Sequence, residues 1–96
     1  MSEKKLREPY RSLLEKLVGA LRERFGGDLT SVVVYGSVAR GEAERDSDVD
    51  LLVVVRNLPR SRLARQDLFI EVEEVLEGEV RKLEEDGYRI DFSPIL

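Results

Sequence analysis

The chain contains no cysteine and no histidine. Without cysteine there can be no disulfide bond, no thiolate catalysis and no zinc site built on sulfur. Without histidine there can be no imidazole catalysis and no metal site that uses imidazole nitrogen. Any catalytic metal must therefore be held by oxygen ligands, which are the ligands that Mg²⁺ prefers.

Long apolar runs are also missing, so the sequence predicts no membrane-spanning segment and no membrane partner. The first ten residues, MSEKKLREPY, lack the apolar part of a signal peptide, and we expect a cytoplasmic protein. A formal net charge of −4 argues against direct nucleic-acid binding through bulk charge. With 96 residues, the chain is expected to form a single domain, residues 1–96.

Residues 32–55 form the most informative stretch, VVVYGSVARGEAERDSDVDLLVVV. Two β-branched runs bounded by turn residues predict buried strands over Leu29–Tyr35 and about Val49–Val55. Asp48 and Asp50 stand two residues apart at the start of the second strand, so both carboxylates project from one face. Carboxylates held side by side repel each other, and a divalent cation relieves that repulsion.

Gly36 and Ser37 follow the first predicted strand directly. A glycine there allows close backbone approach to a ligand, and a short helix from Ser37 through Gly41 would present free N–H groups to an anion. Arg40 is then either a phosphate ligand or a solvated arginine. Ser47 either orients the two carboxylates or is an ordinary turn serine.

Three further elements are predicted from periodicity. Apolar residues at helical spacing indicate an amphipathic helix from about Tyr10 to Phe25, ended by Gly26-Gly27. A second pattern predicts one continuous helix over 61–86. Its polar side is interpreted as a solvated acidic face formed by Glu71, Glu73, Glu74, Glu77, Glu84 and Glu85. Tyr88–Pro94 is predicted as the third strand, with apolar residues alternating with Asp91 and other polar residues.

The central motif resembles a known family. Gly36-Ser37, Ala39-Arg40-Gly41 and, ten residues after Ser37, the run Ser47-Asp48-Val49-Asp50-Leu51-Leu52-Val53 are similar to the polymerase-beta-like nucleotidyltransferase superfamily. The pattern is closest to the minimal nucleotidyltransferases that are paired with HEPN toxins. That superfamily carries a third metal-binding carboxylate on a later strand, and Asp91 is the aspartate that fits. From the residues alone, Asp91 is equally well an edge-strand surface residue.

The resemblance and the element order together predict an α/β (α+β) nucleotidyltransferase fold with a small mixed sheet and packed helices, in the order α-β-α-β-α-β. One short turn joins the first two strands, so we expect them to be antiparallel neighbours. The third strand should lie beside the second, because Asp91 has to approach Asp48 and Asp50. The helical crossover between them favours a parallel arrangement.

The resemblance also implies a function. Two Mg²⁺ ions would be held by Asp48, Asp50 and Asp91, and the nucleotide phosphates by Gly36 and Ser37, with Arg40 a further candidate. No lysine or arginine partner is expected for the three carboxylates. The donor would be ATP and the acceptor a tyrosine hydroxyl on a HEPN ribonuclease toxin, so the protein would be an antitoxin that acts by AMP transfer.

Two alternatives stand beside this interpretation. In one, the same fold is a binding module that neutralises its partner by contact. In the other, the protein is a small-molecule transferase of the aminoglycoside-modifying kind. The latter is disfavoured because little of the chain is left to build an acceptor pocket.

Overall fold

Helices and strands follow one another in the predicted order, except that two helices stand where one was predicted before the last strand. The computed structural model describes residues 7–44 and 47–96. The elements are α1 (Tyr10–Phe25), β1 (Leu29–Tyr35), α2 (Gly36–Ala39), β2 (Asp48–Val55), α3 (Arg62–Val75), α4 (Glu77–Glu85) and β3 (Asp91–Ile95), with a short 3-10 turn at Gly26–Asp28. None of these helices has the length and hydrophobicity of a transmembrane segment.

The three strands form one mixed sheet in the order β1-β2-β3. β1 pairs with β2 in antiparallel fashion, and β2 pairs with β3 in parallel fashion. Both predicted strand relations are therefore confirmed. The parallel pair is joined by the α3–α4 crossover, as parallel strands require.

One face of the sheet is covered by helices. Val49, Leu51 and Val53 of β2 are at most 1% exposed and pack in one cluster with buried residues of α1 and α3. The opposite face is open over the described part of the chain. It exposes large apolar side chains, which are Val33, Tyr35, Leu52, Val54 and Ile95. Every functional candidate on the sheet lies on or beside this open face.

The prediction of one continuous helix over 61–86 is wrong. The helix is interrupted at Leu76, whose backbone leaves the helical region at φ −93° and ψ 2°. Leu76 is buried, and Val80 and Leu83 of the following helix also pack against the core. Exposed Gly78, a poor helix former, lies two residues after the interruption. The interruption lets both helices keep an apolar side against the core.

Other boundaries differ by a few residues. The short helix after β1 spans Gly36–Ala39, where the sequence predicted a helix from Ser37 through Gly41. β2 begins at Asp48, one residue before the predicted start. β3 spans Asp91–Ile95, so residues 88–90 precede the strand. Ser61 caps α3, because its hydroxyl accepts a hydrogen bond from the Ala64 amide at 3.3 Å.

Candidate active site

The first part of β2 presents two carboxylates on the open face. Asp48 is exposed and Asp50 is half-buried, whereas Val49 between them is fully buried on the covered face. This arrangement follows from strand alternation. Tyr35 of β1 is the register partner of Asp50 and places an exposed aromatic ring beside it. Tyr35 was missed by sequence reasoning, because strand pairing registers are not visible before the fold is known.

Gly36 lies directly against the Asp50 carboxylate. A Cβ atom at this position would lie 3.2 Å from Asp50 Cγ and still closer to Oδ2, which no side chain could occupy without moving Asp50. Gly36 also has φ +78°, a conformation that favours glycine. Glycine therefore brings the β1–α2 turn into contact with the carboxylate face.

Asp91 lies next to Asp48 across the parallel pair. The two residues are register partners at the start of β2 and β3, so their side chains share the open face. The Asp91 carboxylate is bonded to Arg89, with 3.0 Å between Oδ2 and Nε. The expectation that the carboxylates have no arginine partner is therefore wrong. Alternation on an extended segment places Arg89 on the same side as Asp91, and this was the signal available in the sequence.

Glu73 of α3 is a fourth acidic group in this region. Partial burial, and secondly the nearby Asp91 carboxylate, raise the pKa of Glu73 above its ordinary value. Glu73 is half-buried, so it departs from the solvated acidic face that the sequence predicted. Its proximity to Asp91 results from the packing of α3 against β3 and has no local sequence signal.

Three other predicted residues have ordinary local contacts. Ser37 is half-buried in the first turn of α2, and its carbonyl accepts a hydrogen bond from the Glu42 amide at 2.9 Å. Arg40 is exposed and pairs with Glu42, with 2.7 Å between Nε and Oε1. The Ser47 hydroxyl accepts a hydrogen bond from the Glu44 amide at 2.7 Å, which makes Ser47 a turn residue.

The donor set fits Mg²⁺ in its chemistry. Carboxylate oxygens from Asp48 and Asp50 face one side of β2, and Mg²⁺ in nucleotide-dependent enzymes typically takes one or two carboxylates plus substrate phosphates. Within residues 7–44 and 47–96, no three acidic side chains already form a metal-sized cluster. Arg89 engages one oxygen of the Asp91 carboxylate, and the metal role of Asp91 remains a prediction.

Comparison with known proteins assigns the chain to a family. Residues 14–96 match the nucleotidyltransferase domain family. The chain belongs to that family. This nucleotidyltransferase domain is 47% identical over 71 residues to the protein adenylyltransferase MntA of Thermococcus cleftensis, covering 74% of this chain and 65% of the relative. It is 40% identical over 85 residues to MJ1305 of Methanocaldococcus jannaschii, provisionally named a protein adenylyltransferase, covering 88% of this chain and 52% of the relative.

The nucleotidyltransferase domain thus spans between about half and two thirds of the length of these relatives. No solved structure matches the chain at a significant level. The predicted family and fold class are confirmed by these matches and by the mixed sheet. The roles of individual site residues stay predictions.

Proposed function

We propose that this nucleotidyltransferase domain transfers AMP from ATP to a hydroxyl group of a protein. One observation carries the proposal: Asp48 and Asp50 share the open face of β2, and the Gly36 turn lies against Asp50. Phosphate-binding backbone and metal-binding carboxylates are the two parts that nucleotidyl transfer requires at one place. The names of both relatives support the same reaction.

The reaction joins the acceptor oxygen to the α-phosphorus of ATP and breaks the bond from that phosphorus to the bridging oxygen, so pyrophosphate leaves. Two bound Mg²⁺ ions would supply a lowered pKa at the acceptor hydroxyl and charge stabilisation at the leaving group. Asp48 and Asp50 would hold the ions. Gly36 allows the triphosphate to approach the backbone, and the amide of Ser37 donates to a phosphate oxygen.

Asp91 receives the proton of the acceptor hydroxyl in this proposal. It stands beside Asp48 in the register of the sheet and at its outer strand, where an acceptor has access. Arg89 orients the Asp91 carboxylate at 3.0 Å before the substrates bind. Tyr35 offers an exposed aromatic face on the other side of Asp50, where a base can stack.

For the acceptor we propose a tyrosine hydroxyl on a HEPN ribonuclease toxin, which makes the protein an antitoxin. Support comes from the resemblance of the Gly-Ser and Asp-x-Asp motif to the minimal nucleotidyltransferases, and from relatives named as acting on proteins.

Neutralisation by contact alone is the second candidate. The open sheet face favours it, because Val33, Leu52, Val54 and Ile95 expose apolar area that a bound protein would cover. In this alternative the ribonuclease is inhibited without modification.

Label transfer separates the two functions. The domain is incubated with Mg²⁺, ATP labelled in its α-phosphate and a HEPN ribonuclease, and the ribonuclease is compared with a version whose tyrosines are phenylalanine. We expect labelled tyrosine with the wild type. Asp50→Asn should lower the labelling rate by at least the roughly 10–100-fold that follows removal of a residue that only supports a metal ligand. Asp67→Asn, which changes an exposed aspartate of α3, is the matched control and should label normally.

Wild-type-like labelling by Asp50→Asn would remove these carboxylates from the mechanism. Inhibition of the ribonuclease with no label on any protein would instead select the contact mechanism.

A further inference from the structure

β3 has an unpaired outer edge. The sheet order is β1-β2-β3, and no strand of residues 7–44 or 47–96 pairs with the side of β3 that faces away from β2. The strand therefore offers backbone N–H and C=O groups to another chain. Pro94 lies on this strand, as is usual for proline at a sheet edge, and because it has no N–H the amide donors of the edge come from other residues of the strand.

A groove of about 310 Å³ runs beside this edge, between β3 and the helices α3 and α4. Its apolar lining comes from both helices and from the residues on either side of Asp91, namely Ile70, Val80, Ile90 and Phe92. Ile90 and Phe92 alternate with Asp91, so they face the groove while Asp91 faces the open side. One extended segment along β3 would thus contact the groove and the carboxylate face together.

The polar lining of the groove is acidic. Glu73, Glu74 and Glu77 line it, and Glu77 is paired with Arg81 at 2.6 Å. Glu73 and Glu74 have no cation partner in the part of the chain that the structure describes. The groove therefore complements lysine or arginine side chains.

The opposite edge of the sheet has a different charge. The groove beside β1 is lined by Arg11 and Arg22 together with Glu15, around an apolar lining from α1 and β1. A basic segment is repelled by those arginines and attracted by Glu73 and Glu74. The two edges therefore discriminate between segments of opposite charge, although neither edge is paired with another strand of the described residues.

We propose that an extended, basic segment of the acceptor protein adds to the outer edge of β3 as a fourth strand. An added strand lies about 4.8 Å from β3, with successive side chains on opposite faces. Its residue opposite Asp91 projects to the open face, and the two residues flanking it project into the groove. The acceptor segment then carries its hydroxyl residue between two basic residues.

This inference rests on the proposed function in taking the partner to be the acceptor protein. Paired this way, the hydroxyl stands next to Asp91 while the basic side chains lie at Glu73 and Glu74. The domain selects its acceptor by backbone pairing and charge, which removes the need for an enclosed pocket.

The test is a nucleotide-free NMR titration of the ¹⁵N-labelled domain with an end-blocked peptide, Val-Lys-Tyr-Lys-Val. We expect shifts of the amide signals of residues 90–95 and 73–77. The peptide Val-Glu-Tyr-Glu-Val should not bind. Two further versions of the basic peptide carry N-methyl groups on alternate amides, one on the odd-numbered residues and one on the even-numbered residues. The version that lacks the N–H groups facing β3 should lose binding.

Protein variants supply the matched comparison. Glu73→Gln/Glu74→Gln should weaken binding roughly fivefold, from two exposed or half-exposed ion pairs. Glu84→Gln/Glu85→Gln removes the same charge from exposed positions of α4 outside the groove and should bind normally.

Absence of shifts at residues 90–95 with millimolar peptide would overturn the proposal, and so would equal binding of the acidic peptide. Shifts centred on the amide signals of residues 29–35 would assign binding to the β1 edge. Broadening of the amide signals of both edge strands without peptide would assign the surface to a second copy of the domain. Either result also overturns the proposal. Failure of AMP transfer leaves this titration unaffected, because it contains no nucleotide, so the two proposals fail separately.

Discussion

The two faces of β2 differ sharply in burial although they alternate along the same eight residues. Val49, Leu51 and Val53 are packed under the helices, whereas Asp48, Asp50, Leu52 and Val54 face the open side. The covered face holds the domain together by burying apolar area. The open face contributes little to packing and is available for charged groups and ligands. One strand therefore separates stability from function by side-chain direction alone.

The largest expected difference between the two faces is the loss of stability on truncating two adjacent leucines. Leu51→Ala removes a side chain with no exposed surface and should cost about 2–5 kcal/mol of unfolding free energy. Leu52→Ala changes a side chain that is 37% exposed on the opposite face and should cost about 1 kcal/mol or less. Urea unfolding of both variants measures the difference. Equal losses would mean that the open face is covered in solution.

Ligand binding should stabilise the domain through the open face. Mg-ATP at a hundredfold excess over its Kd should add about 2.7 kcal/mol to the unfolding free energy of the wild type. Asp50→Asn should gain much less, and Asp67→Asn, on exposed α3, should gain as much as the wild type. Thermal melts with and without Mg-ATP measure the three values. A full gain in Asp50→Asn would place the nucleotide away from β2.

Substitution of Gly36 tests the contact between the β1–α2 turn and Asp50, and substitution of Gly19 is the control. Gly36→Ala should lose about 1–2 kcal/mol from the positive φ alone, and should weaken ATP binding because its Cβ displaces the carboxylate. Gly19→Ala, in α1 with open space around its Cβ, should gain up to about 1 kcal/mol. Unfolding curves and calorimetric ATP titrations measure both effects. Unchanged ATP affinity in Gly36→Ala would contradict the phosphate assignment.

The smallest expected effect concerns Glu73, which lies on α3 near the Asp91 carboxylate. Its pKa is raised in the folded protein by burial and by Asp91, so the folded state holds the proton more tightly than the unfolded state. The resulting stability is present below the ordinary glutamate pKa and is lost as pH rises through the raised value. At pH 7 the ionised group opposes folding, and Glu73→Gln should therefore melt slightly above the wild type.

The higher melting temperature of Glu73→Gln should approach that of the wild type as pH falls below the ordinary pKa of glutamate, because the wild-type side chain then becomes neutral. Glu84→Gln, at an exposed position of α4, is the control and should show no such change. Melting temperatures across this range decide the matter. A difference in melting temperature that stays constant with pH would mean that the effect comes from packing and not from ionisation of Glu73.

The sequence by itself determined the elements with strong local signals. Apolar residues at helical spacing predicted α1, and β-branched runs bounded by Gly36 and Ser47 predicted β1 and β2 to within one residue. The shared face of Asp48 and Asp50 followed from the two-residue period of a strand, which needs no knowledge of the fold. The motif around these residues was also sufficient to predict the family that the comparisons found.

Only the tertiary structure decided which distant groups meet. The crossover helix is interrupted at buried Leu76, where the core packs both of its halves, and Gly78 was only a weak local sign of that interruption. Glu73 approaches Asp91 because α3 lies against the last strand, and the groove beside β3 exists only after both helices have docked. Such contacts join residues far apart in sequence, and their positions depend on how the helices pack against the sheet. Local periodicity contains no information about that packing.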